Sequence, residues 1–182
     1  GGSNKTAGTT TTTRGATPSS SPGTSTTAPF NGDVYAFTRA GMLAPAVTGI
    51  PTRVYVPNSD ANTLDVIDPT TYGVIAHHAV GALPQHVTPS WDMRTLYVDN
   101  DKGNSLTPID PRTGALGTPI AVEDPYNLYF TPDGTKAIVV AERLQRLDFR
   151  DPHTWELIKS VHIPHLGPDH LDFTADGREL VV

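Results

Sequence analysis

Three side chains able to hold a ligand recur at one position of a repeated phrase. His86, Asn127 and His170 each stand two residues after a proline, in Pro84-Gln85-His86, Pro125-Tyr126-Asn127 and Pro168-Asp169-His170. Imidazole and carboxamide groups bind polar small molecules through hydrogen bonds, and neutral imidazole nitrogen also ligates metal ions. His86 and His170 are therefore candidate metal ligands, and a metal ion is the one cofactor these residues suggest. Asp169 can join the same ligand-binding set or orient an imidazole as an outer carboxylate, and His165 lies nearby in sequence. The competing use of all these groups is structural: hydrogen bonds to the backbone of neighbouring repeats, or solvation in a loop.

The elements that position them repeat as well. Asp68-Pro69, Asp110-Pro111 and Asp151-Pro152 fall 42 and 41 residues apart, each four residues after a leucine (Leu64, Leu106, Leu147). The apolar triplets Val54-Tyr55-Val56, Leu96-Tyr97-Val98 and Ala137-Ile138-Val139 keep step, and Leu180-Val181-Val182 begins a fourth. Aspartates Asp92, Asp133 and Asp176 mark a hairpin in each unit. Proline presets φ in a turn, Asp caps it through its own carboxylate, and Asp-Gly supplies positive φ for a tight hairpin. In the clearest unit the strands read Asn127 to Thr131, Ala137 to Ala141, Leu144 to Arg150 and Glu156 to Ile163. No window carries a helical period. A period in the low forties with four short strands per unit predicts an all-β propeller of four-stranded blades. In such a ring the first strand of each blade starts at the mouth of the central channel, so His86, Asn127 and His170 become neighbours there.

Residues 1–29 hold ten Thr, five Ser, five Gly and three Pro, with no apolar side chain larger than Ala. Such a segment cannot bury enough surface to offset its ordering entropy and reads as a disordered tether. Residues 30–50 are transitional, with a short strand suggested at Val34-Tyr35-Ala36-Phe37. Blades occupy residues 51–182, about three of them, and three blades cannot close a ring, so the chain reads as part of a longer ring. No cysteine is present, which excludes disulfides and thiolate sites. Residues 54–182 carry nine basic and 18 acidic groups, so nucleic acid is disfavoured as a partner. No apolar run reaches the roughly 20 residues of a membrane helix.

Other candidates are weaker. His77-His78 lies in an outer strand, where adjacent side chains point to opposite faces and cannot share an ion. His153 and His162 read as structural, Asp68, Asp110 and Asp151 as turn caps, and Trp155 and Tyr126 as packing or rim aromatics. Asp172 stands in an inner strand, where a buried acid needs a partner such as an arginine. No serine sits in a nucleophile elbow and no Gly-rich loop has phosphate-binding spacing.

The elements Val54-Tyr55-Val56-Pro57-Asn58, Val66-Ile67-Asp68, Leu96-Tyr97-Val98-Asp99-Asn100, Thr113-Gly114 and Thr131-Pro132-Asp133-Gly134 resemble the YVTN-repeat β-propellers, and among them the YncE-like extracytoplasmic proteins. The broader superfamily includes the quinoprotein amine dehydrogenase β chain and propeller lactonases. The resemblance implies a seven-bladed ring and an extracytoplasmic place: secreted, periplasmic or lipid-anchored. It leads to a binding or scaffold module that takes a protein or small-molecule ligand at the funnel mouth. A metal-dependent oxidoreductase or lactonase-like enzyme using the mouth histidines is the alternative. A cell-surface or cell-wall interaction protein held by the N-terminal tether is the third reading. Fold alone does not choose among them.

Overall fold

The computed structural model describes residues 30–182, and the tether expected over 1–29 lies outside them. Among the described residues thirteen strands run in chain order. Strands β1 (Val54–Asn58), β2 (Thr63–Ile67) and β3 (Val74–Ala79) form a three-stranded sheet. Strands β4 (Pro84–Pro89), β5 (Leu96–Asn100), β6 (Ser105–Ile109) and β7 (Ile120–Ala121) form a complete blade. So do β8 (Asn127–Phe130), β9 (Ala137–Ala141), β10 (Arg146–Arg150) and β11 (Leu157–His162). Strands β12 (Asp172–Phe173) and β13 (Leu180–Val181) begin the next one. Every pairing is antiparallel between sequence neighbours, and β4 packs beside both β1 and β8.

The turns follow from local chemistry. After β2, β6 and β10, the backbone N–H two residues beyond the aspartate is caught by its carboxylate: Thr70 by Asp68, Arg112 by Asp110 and His153 by Asp151, each at 2.8 Å. Backbone N–H groups, of Thr70 at Asp68, of Arg112 at Asp110, and of Thr154 and then His153 at Asp151, hold all three carboxyls below the usual carboxylate range. The fourth residue after the aspartate then turns left-handed (Tyr72, Gly114, Trp155). The inner hairpins repeat a second device, in which Ser90, Thr131 and Thr174 accept the N–H five residues on through their hydroxyls, at 3.0 to 3.1 Å. Met93, Gly134 and Gly177 take the positive φ.

The core lies between blades, since alternate side chains of a sheet covered on both faces reach opposite neighbours. From β9, Val139 joins Tyr97, Leu128 and Trp155 on one side, while Ile138 and Val140 join Leu147 and Leu171 on the other. All five β9 residues are buried. A third cluster, Leu64, Val98 and Ile109, joins the first two sheets.

Two expectations change. Val34 to Phe37 form turns, not a strand: Asn31 and Asp33 capture the N–H groups of Asp33 and Tyr35 at 3.1 and 2.9 Å, which bends the backbone. A 3-10 turn, Pro45–Val47, follows. Strand β10 starts at Arg146 because Gln145 is left-handed, with φ of 51°.

Candidate functional site

The approach to each inner strand is fixed from the preceding blade. Asn62 and Asn104 stand in left-handed turns, between β1 and β2 and between β5 and β6. Their side-chain oxygens accept the N–H groups of Leu83 (2.8 Å) and Asp124 (2.9 Å), just ahead of Pro84 and Pro125. These bonds help set His86 and Asn127 at one end of neighbouring inner strands, where His170 meets both, as the repeat predicts. His170 lies in extended chain two residues ahead of β12.

The three make a connected cluster with two tyrosines. His86 Nδ1–H donates to the Tyr126 carbonyl at 2.8 Å. The Asn127 amide is oriented by Leu128, whose N–H donates to its Oδ1 at 2.9 Å. Its Nδ2 therefore points at His170 Nδ1 (3.0 Å) and at the Tyr129 hydroxyl (3.1 Å). The Tyr129 hydroxyl donates to the same His170 nitrogen at 3.1 Å. Two donors at Nδ1 make it the acceptor and assign the neutral ring's proton to Nε2. His86 is the opposite tautomer, with its lone pair at Nε2. The two imidazoles stand edge to face with centroids 5.5 Å apart, and Tyr126 packs edge-on to both, at 5.2 and 6.3 Å. Asn127 is buried, His86 and Tyr126 are half-buried, and His170 is exposed.

Electrostatics at this end are acidic. Burial raises the Tyr126 phenol first, and the charges of Asp169, Glu142 and Asp101 raise it further. Burial also raises the Tyr129 phenol, opposed by the Leu171 N–H and reinforced by Asp172 and Asp99. Asp169 itself is exposed and reaches the cluster only through its charge. Next to the mouth, Asp101 and Asp124 are buried beneath the exposed Arg143, whose Nε lies 3.3 and 2.7 Å from their carboxylates. The Asp124 carboxyl is pushed up to about 6, by burial first and then by Asp101, against the Leu144 N–H and the Arg143 guanidinium.

Other singled-out residues fall elsewhere. Asp172 is exposed and accepts the Tyr35 hydroxyl at 2.9 Å, so the buried acid with an arginine partner is not found. His77 pairs with Asp65 on the outer strands, and His78 faces Leu64 across the ladder. His153, His162 and His165 are exposed. Trp155 is core and Tyr126 is rim. Among the described residues no three His, Cys, Asp or Glu side chains converge as metal ligands do. Sequence reasoning passed over Tyr129 and the Asp101–Asp124–Arg143 cluster. Tyr129 had a signal, since two residues after Asn127 it shares that residue's face of the strand.

Antiparallel blades stacked about one line, with polar inner-strand starts gathered at one end, define a β-propeller. The chain belongs to the YncE-like β-propeller family, whose family model matches residues 34–171. Among solved structures it is similar to hydrazine synthase of Kuenenia stuttgartiensis, at 24% identity and a TM-score of 0.60, over 72% of this chain and 38% of that one. It is also similar to the dihydro-heme d1 dehydrogenase NirN in complex with DHE, at 17% identity and a TM-score of 0.49, over 62% of this chain and 24% of that one. The chain thus spans well under half the length of either. No curated protein matches it. Among the described residues no helix is long and apolar enough to cross a membrane.

Proposed function

We propose that this propeller is an extracytoplasmic binding module whose mouth holds a neutral polar ligand group, on a small molecule or a protein, between His86 and His170. The observation that carries this reading is the pair of opposite tautomers fixed by Tyr126, Asn127 and Tyr129. One ring offers an acceptor at Nε2 and its neighbour a donor, which suits a hydroxyl or amide able to do both. A cation shared by the two rings fits less well: His170 already has its lone pair engaged by Asn127 and Tyr129. Asp169 supplies charge at the rim, not a direct contact. The Thr/Ser-rich leader and the family support placement outside the cytoplasm, where the leader would act as a membrane or cell-wall tether.

The test is a titration of the full chain with neutral hydroxyl, amide and amino-acid fragments, read at the histidine ring nitrogens by NMR. At least one fragment class should shift His86 and His170 together, and His170→Ala should abolish the effect. Fragments that move neither ring, or equal binding by His170→Ala, would overturn the reading. Metal content above background that falls in both His86→Ala and His170→Ala would favour the cation instead. Recovery of the chain in the cytosolic fraction of its native cells would defeat the placement.

A further inference from the structure

At the opposite end of the inner strands from His86 and Asn127, residues 30–45 cross beneath three hairpins and line an open-sided cavity of about 610 Å³. We propose that this cavity is a second binding site, for a neutral apolar small molecule. The volume lies within the range of ligand pockets. Its lining concentrates side chains that the sequence otherwise uses sparingly. Phe30, Phe37, Phe130 and Phe173 are four of the five phenylalanines, and Met42 and Met93 are both methionines. Methionine beside aromatic rings makes an adaptable, polarisable wall.

The polar lining groups settle the class of ligand. The Ser90 hydroxyl donates to Asp92 at 2.7 Å and accepts the N–H groups of Arg94 and Thr95. The Thr131 hydroxyl donates to Asp133 at 2.6 Å and accepts Lys136 N–H. Asp33 turns one oxygen to Tyr35 N–H at 2.9 Å. Both hydroxyl hydrogens are thus engaged within their own hairpins. A buried water needs two to four polar partners, and a charged or sugar ligand needs more, so an apolar molecule suits this space better than either.

The covering segment is pinned at its two ends. Val34 N–H bonds Ala175 O at 2.9 Å and the Tyr35 hydroxyl bonds Phe173 O at 3.1 Å. Arg112 holds Ala46 O and Thr48 O at 3.0 and 3.3 Å. Between them the described backbone bonds of residues 36–44 are local turns. Phe37 and Met42, both over the cavity, remain 47% and 43% exposed, so apolar surface is left for a ligand to cover. The proposal does not depend on what the mouth binds.

N-phenyl-1-naphthylamine, a neutral aromatic dye, is a suitable probe for the full chain. With only two methionines, methyl-labelled protein gives two methionine signals, and both should shift saturably with dye. Phe37→Glu should weaken binding about ten-fold, while Ile75→Glu, on the exposed outer strand β3, should bind as the parent does. Methionine signals unmoved at saturating dye would overturn the proposal. Equal binding by the two variants would reduce it to general surface adhesion, and methionine shifts that follow protein concentration alone would give the cavity to a second copy of the chain.

Discussion

A carboxyl group buried between sheets must be either neutral or matched, and neighbouring blades differ in which they use. Asp99 on β5 is fully buried, with a single 3.3 Å bond from the Thr88 hydroxyl and one oxygen unpartnered. Burial pushes it well above the usual carboxylate range. The equivalent residue one repeat on is Val140, also fully buried. Asp99→Val should therefore raise stability by about 1 kcal/mol, read from urea midpoints, because it removes a poorly partnered polar group without opening a cavity. Asp148 is matched: Arg146 and Arg150 lie 2.9 and 3.5 Å away, and the Ser160 hydroxyl donates to it. Asp148→Asn should cost about 3 kcal/mol by leaving the buried Arg150 guanidinium short of a counter-charge, while Arg146 keeps Glu123 at 2.8 Å. Asp124 adds a pH signature. Its folded value of about 6 lies above the ordinary 3.8, so between those values the folded state binds protons that the unfolded chain has released. Stability contributed there falls as pH rises, by about 2 kcal/mol from pH 4.5 to 7. Asp124→Asn should remove that slope. The lowered turn aspartates such as Asp68 and Asp151 act in the other direction, losing their contribution only as pH falls below the ordinary carboxylate range.

Hairpins show how one blade grips the next. Gly134 has φ of 70°, and a Cβ added there would enter the indole ring of Trp91 from the preceding blade, whose Nε1–H bonds Pro132 O at 3.3 Å. Gly134→Ala should cost about 2 kcal/mol or more, combining left-handed strain with the clash. In a Trp91→Ala background only the strain remains, so the added cost should shrink to about 1 kcal/mol. Equal cost in both backgrounds, measured by a double-mutant cycle, would show that Trp91 does not set the fit. These turns were legible in sequence because Asp-Pro and Pro-Asp-Gly act on backbone within a few residues. Strand Ala137 to Ala141 was legible because the Pro132-Asp133-Gly134 turn precedes it and its apolar run keeps the register of the repeat. Residues 30–50 were not, since side-chain capture by Asn31 and Asp33 competes with the strand tendency of Val34 to Phe37. The meeting of His86, Asn127 and His170 followed from register alone. Their tautomers did not, because these depend on Leu128 N–H and the Tyr129 hydroxyl, contacts made only once the inner strands are packed.

At the scale of the molecule, each sheet buries its faces against its neighbours alone, as in repeat architectures whose stability is a sum of unit and interface terms. The first and second sheets share Leu64, Val98 and Ile109, the second and third share Tyr97, Leu128 and Trp155, and the third and fourth share Ile138, Val140 and Leu171. Tyr97 and Trp155 meet edge to face with centroids 5.0 Å apart, and Trp155 is only 6% exposed. Trp155→Ala empties the centre of one interface and should cost about 3–5 kcal/mol. Where that cost appears distinguishes coupled blades from independent ones. If interfaces act separately, hydrogen exchange in Trp155→Ala should accelerate in β8 to β11, which lose a face, while β2 and β3, held through Leu64, keep their protection. Uniform acceleration across β1 to β13 would mean instead that the blades open as one unit.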